Sequence, residues 1–75
     1  PLEGEIRGNV KFFNAAKGYG FVEVENEQAD VFVHLKTLRN FGIYHLNEGQ
    51  KLFLKVTDDG RGPQASEIRL LSLDD

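Results

Sequence analysis

Two short segments constrain this chain most: Lys17-Gly18-Tyr19-Gly20-Phe21-Val22 and Asp30-Val31-Phe32-Val33-His34. Successive side chains of a β-strand point to opposite faces. Read as strands, the first puts Lys17, Tyr19 and Phe21 on one face and Gly18, Gly20 and Val22 on the other. The second puts Asp30, Phe32 and His34 on one face and Val31 and Val33 on the other. Paired, they form a sheet with a small aliphatic side and a side of rings beside cations. A barrel built from such a sheet has only one inside, which the aliphatic side claims. Rings take stacked bases and cations take phosphates, which is how single-stranded nucleic acid is held. The competing reading makes Tyr19 and Phe21 core residues, with Gly18 and Gly20 permitting close strand packing.

The remaining strand-like runs are about Ile6 to Asn14, Lys51 to Thr57 and Gln64 to Leu71, separated by turn residues, with no sustained helical periodicity. Glu25-Asn26-Glu27-Gln28-Ala29 reads as the hairpin between the second and third strands. A long connection, Leu35 to Gly49, carries one short helical turn at Thr37-Leu38-Arg39-Asn40, ended by Gly42. The fourth run alternates, with Leu52, Leu54 and Val56 inward and Lys51, Phe53 and Lys55 outward, which makes Phe53 an exposed or rim ring. Asp58 to Pro63 is a turn by composition. Five short strands with one long loop after the third predict an all-β, five-stranded antiparallel Greek-key barrel of the OB type. Such barrels bind oligonucleotides on strands two and three. The first strand conflicts with strict alternation: Phe12 and Phe13 cannot share a face unless one ring is core or a bulge re-aims it. The expectation is an exposed Phe12 and a Phe13 partly buried at the edge of the same face.

The chain of 75 residues reads as one domain, 1–75, with its core at about 4–71 and a frayed tail at 72–75. A domain this small buries only about 60% of its unfolded surface. Without cysteine it has neither disulfides nor a thiolate metal site, which fits a reducing, cytoplasmic setting. No apolar run is long enough for a membrane span. The start at Pro1 reads as a removed initiator or a module of a longer chain. Net charge is −3, but Ile6 to Val22 holds Arg7, Lys11 and Lys17 and no acid. A local cationic stripe on an acidic chain suits a ligand held by stacking more than by charge, and predicts a shallow salt dependence.

Enzyme readings are weak: there is no cysteine nucleophile and no HExxH or GxSxG motif. Asp30, His34 and His45 make no credible metal site, since Asp30 and His34 stand roughly 13 Å apart by strand rise. No metal, cofactor or catalytic residue is assigned. His34, on the ring face, favours stacking or base hydrogen bonding. Arg61, between two glycines, reads equally as a phosphate contact or a plain surface arginine. Lys17 to Val22 also matches the start of the RNP1 pattern of RRM domains. An RRM needs two amphipathic helices, absent here, and carries its second motif before the first.

Taken together, these residues resemble the cold-shock domain family from about Glu3 to Leu71. Gly8-Asn9-Val10-Lys11-Phe12-Phe13-Asn14 is similar to its opening GxVKWFN segment. Lys17 to Val22 and Val31 to His34 resemble its two RNA-binding motifs. Asn47-Glu48-Gly49-Gln50 and Gly60-Arg61-Gly62-Pro63-Gln64-Ala65 resemble its later turn and final strand. The resemblance implies a five-stranded β-barrel that binds single-stranded RNA or DNA, with a pyrimidine preference, as an RNA chaperone or regulator of transcription and translation; the chain is expected to be a monomer. It implies ligand contacts at Lys11, Phe12, Phe13, Lys17, Tyr19, Phe21, Phe32 and His34, with Arg61 a further contact. The chain departs from the family at Phe12, where Trp is usual, and at Leu35 and Ile43, where aromatics are usual. Two lost stacking platforms, at roughly 1–3 kcal/mol each, correspond to one to several decades in affinity. Leu35-Lys36-Thr37-Leu38-Arg39 resembles the variant in bacterial proteins with two cold-shock domains. The alternative is a protein-interaction module, with Phe41, Ile43, Tyr44 and Leu46 as an apolar loop patch.

Overall fold

The computed structural model describes residues 1–25 and 29–71. The expected hairpin tip and frayed tail lie outside these. Five strands, β1 (Ile6–Asn14), β2 (Tyr19–Val24), β3 (Val31–His34), β4 (Lys51–Asp58) and β5 (Pro63–Leu70), close into a barrel in the order β1-β2-β3-β5-β4. β4 pairs back onto β1, so the sheet has no open edge there. The pairings are antiparallel except β3 with β5, which run parallel and share one register pair, Phe32 with Gln64. The long connection after β3 leads into β4, which runs opposite to β3, and the turn after β4 reverses the chain again, so that β5 runs parallel to β3.

Each strand turns its aliphatic residues inward: Val10, Val22, Val31, Val33, Leu52 and Leu54 are buried. Such β-branched and branched side chains fit a pleated, closely packed surface. A short helix, α1 (Leu35–Arg39), follows β3 directly, starting two residues earlier than the composition suggested. It plugs the barrel with the fully buried Leu38. Gly42, at φ +74°, stops it, its N–H donating to the Arg39 carbonyl. No helix among the described residues is long and apolar enough to cross a membrane.

Two bulges let five strands curve into closure. In β1 the register with β2 steps from Val10–Val22 to Phe12–Phe21, leaving Lys11 unpaired with β2. In β5 the register steps from Lys55–Glu67 to Val56–Ala65, leaving Ser66 extra. The second bulge explains why the two buried residues of β5, Ala65 and Ile68, lie three apart and not two.

Phe53 departs from the sequence expectation. It does point outward from β4, but it is only 3% exposed. Its register partners are Arg7 on β1 and Arg69 on β5. Both guanidinium groups lie over its ring, at 5.3 Å and 4.6 Å from the centroid. Arg69 also donates from Nη2 to Glu5 Oε1 at 2.9 Å and from Nε to Glu5 Oε2 at 3.1 Å. The Arg69 hydrogen bond, reinforced by the Leu2 N–H, holds the Glu5 carboxyl at about 2, well below its usual range. A single strand's alternation cannot reveal this cover, because it comes from the strands on either side.

Truncation at Phe53→Ala is expected to cost about 3 kcal/mol in chemical denaturation, the scale for a buried ring. Arg7→Ala is expected to cost about 0.5–1 kcal/mol, the scale of a surface cation–π contact. Equal, negligible losses would show that the ring is not the anchor of this face. For Glu5, a depressed carboxyl pKa stabilises the fold above the unfolded value and loses that contribution as pH falls toward the folded one. The stability difference between wild type and Glu5→Gln is therefore expected to be full near neutrality. It should shrink between pH 4.5 and about 2 in acid melts. A difference that is constant across that window would contradict the assigned ion pair.

Candidate nucleic-acid interface

The outward residues of β1, β2 and β3 assemble five rings. Phe12, Phe21 and Phe32 stand in one row across the three strands, and Tyr19 pairs with His34 in the next. Centroids of Phe12 and Phe21, and of Phe21 and Phe32, are 5.6 Å apart. Tyr19 stacks on Phe32 at 5.9 Å with 22° between planes, while its contact with Phe21 is edge-on. Phe32 and His34 are 6.3 Å apart. Aromatic pairs favour these offset and edge-to-face geometries. Phe12 is 40% exposed; Tyr19, Phe21 and Phe32 are half-buried and His34 is exposed. Behind the rings lie the buried Val22, Val31 and Val33, as alternation requires.

Two glycines shape the face. Gly20 lies opposite Phe13 on the inner side of the sheet. A Cβ there would run into the Phe12 carbonyl oxygen and stand 2.9 Å from Phe13 Cα. Its absence lets the half-buried Phe13 ring pack against the core. Phe13 is thus partly buried, as expected, but its ring is turned away from the platform and meets His45 edge-to-face at 5.8 Å. Gly18, at φ +76°, ends the turn before β2. Lys17 therefore sits in that turn and not on the strand, its N–H held by Asn14 Oδ1 at 2.9 Å. Strand alternation had placed Lys17 beside Tyr19; the left-handed Gly18 interrupts it.

His34 has a second role that residue type alone did not reveal. It caps α1, its Nδ1 accepting from the Lys36 N–H at 2.9 Å. Nδ1 is committed as acceptor, so the hydrogen of the neutral ring is on Nε2. The imidazole offers an N–H donor beside a stacking face.

Two of the three candidate phosphate-binding cations already hold a carboxylate. Lys11 Nζ contacts Asp30 Oδ2 at 3.0 Å, and this hydrogen bond raises the lysine pKa. Arg61 chelates Asp59 through Nε and Nη2, the latter at 2.7 Å, which lowers the Asp59 pKa. Lys17 has no such carboxylate partner among the described ion pairs. A phosphate approaching Lys11 or Arg61 exchanges one anion for another, so little net charge is gained.

The apolar patch expected on the long loop is halved. Ile43 and Leu46 belong to the core, and Phe41 and Tyr44 alone of the four are exposed. Leu35, at the other position where a ring was expected, is half-buried against the core. Among the described residues no group of acids and histidines could hold a metal ion.

A family model described as 'Cold-shock' DNA-binding domain matches residues 6–71. Cold shock protein CspA of Staphylococcus saprophyticus is 48% identical over 62 residues, covering 83% of this chain and 92% of that protein. Cold shock-like protein CspE of Escherichia coli is 41% identical over 64 residues, covering 85% and 93% respectively.

Proposed function

Because the chain belongs to the cold-shock DNA-binding domain family, we propose that it binds single-stranded RNA or DNA without catalysis, as one monomeric module spanning 1–75. Bases stack on Phe12, Tyr19, Phe21, Phe32 and His34. Phosphates meet Lys17 and, by displacing Asp30 and Asp59, Lys11 and Arg61. The observation that carries the reading is the continuous row of rings on one outer face. Rings in edge-to-face and tilted contact keep part of their surface for a ligand, and every base has a face to offer them. The His34 Nε2–H is a donor for a pyrimidine carbonyl, which fits a preference for pyrimidine-rich strands. Duplex DNA is a poor ligand for this face, because paired bases hide their faces and the one helix among the described residues has only five residues with which to enter a major groove. A sequence-tolerant grip of this kind suits an RNA chaperone or a regulator of transcription and translation in the cytoplasm.

Fluorescence anisotropy with labelled oligo-thymidine is expected to show single-strand binding well above binding to the matched duplex. Phe21→Ala and Phe32→Ala should each weaken it by roughly 1–3 kcal/mol, with thermal melts confirming the fold. If neither substitution changes affinity, the platform assignment is wrong. Three phosphate contacts set a log–log salt slope no steeper than about −2, at roughly 0.7 per phosphate on a single strand. A slope much steeper than this would mean that charge, and not stacking, carries the affinity.

A further inference from the structure

His45 takes no part in the ring platform, yet its ring is exposed and held in place. We propose that His45, seated edge-to-face on Phe13, forms an additional nucleotide subsite beside the end of β1. It extends the platform, so the inference rests on the single-strand reading above.

The loop is anchored on either side of this ring. Ile43 and Leu46 are buried in the core, which turns Tyr44 and His45 outward between them. The loop's exit is tied to β1 in both directions. The Gly49 N–H donates to the Val10 carbonyl and the Val10 N–H donates to the Gln50 carbonyl, each at 2.8 Å. Within that turn the Asn47 N–H donates to Gln50 Oε1 at 2.9 Å, and the Gln50 N–H to the Asn47 carbonyl at 3.0 Å. Asn47 is thereby fixed, and its Oδ1 accepts from His45 Nε2 at 3.1 Å. Phe13 supplies the second restraint, at 5.8 Å between centroids and 83° between planes.

These contacts specify what the site can take. In an edge-to-face pair each ring keeps at least one face that its partner does not cover, so a base can stack on the imidazole. With Nε2 donating to Asn47, Nδ1 of the neutral ring is an acceptor. The N3–H of thymine or uracil is a donor of matching kind. A ring already restrained loses little freedom on binding, which favours affinity. The subsite adjoins the platform along the backbone of β1, where Phe13 follows Phe12.

The test is anisotropy with labelled oligo-thymidines of about four to eight nucleotides, using wild type, His45→Ala, His45→Tyr and Phe32→Ala. Phe32→Ala is expected to weaken binding at every length. His45→Ala is expected to weaken it about tenfold, the scale of one lost base stack, and only for strands longer than the platform alone accommodates. His45→Tyr should restore most of that loss. Unchanged melting temperatures for the His45 variants would exclude a folding effect. If His45→Ala binds every length as wild type does while Phe32→Ala is weakened, the subsite is overturned and the platform stands. An equal loss at all lengths would also overturn it, by placing His45 within the common site. If wild type binds no strand, the subsite and the platform fall together.

Discussion

The ring platform depends on one extra residue in β1. Val10 faces Val22 inside the barrel, and unbroken alternation would bring Phe12 opposite Gly20, also inside. The slip at Lys11 brings Phe12 opposite Phe21 and moves Phe13 to the Gly20 position. Lys11 and Phe12 then both face solvent, and Phe13 tucks against the core. A bulge bends its strand and increases local twist. The same residue that selects the outward ring therefore helps a five-stranded sheet to curve into a closed barrel.

Much of this was legible in the sequence, and the misses have physical causes. Period-two alternation located all five strands, and the separation of rings from valines on β2 and β3 located the platform. The bulge was legible as a conflict, because two adjacent phenylalanines violated the period, although the face reached by Phe13 was not. Phe53 was misread because its cover is non-local: Arg7 and Arg69 arrive from two other strands, and Glu5 is fixed by a residue at the far end of the chain. Lys17 was placed on a strand because a left-handed glycine leaves no trace in hydropathy. Ile43 and Leu46 passed for a surface patch because irregular loops have no period from which to read an inside. His45 carried no signal beyond its type; its neighbours in space, Phe13 and Asn47, give it a place.

The two outer faces divide the work. On β1, β4 and β5 a ring is sealed by guanidinium groups and a carboxylate, so its surface is spent on stability. On β1, β2 and β3 the rings seal one another only in part, and their remaining surface is available to a ligand. The charges follow the same division. Arg69 is tied into the structural face, and Lys11 and Arg61 are matched with Asp30 and Asp59 in an acidic chain. Such matching limits indiscriminate attraction to polyanions.

The parallel seam between β3 and β5 has a consequence for how binding and folding communicate. It is the thinnest join in the barrel, a single register pair, and the β3 residue in that pair is Phe32. The outward ring of the same residue lies at the centre of the platform, against Tyr19, Phe21 and His34. On the proposed function, a nucleic-acid strand stacked on Phe32 would bind the barrel in which this seam is shut. By mass action it would withdraw the opened form from the equilibrium. On that function, occupancy of the face and closure of the barrel would be two readings of one equilibrium.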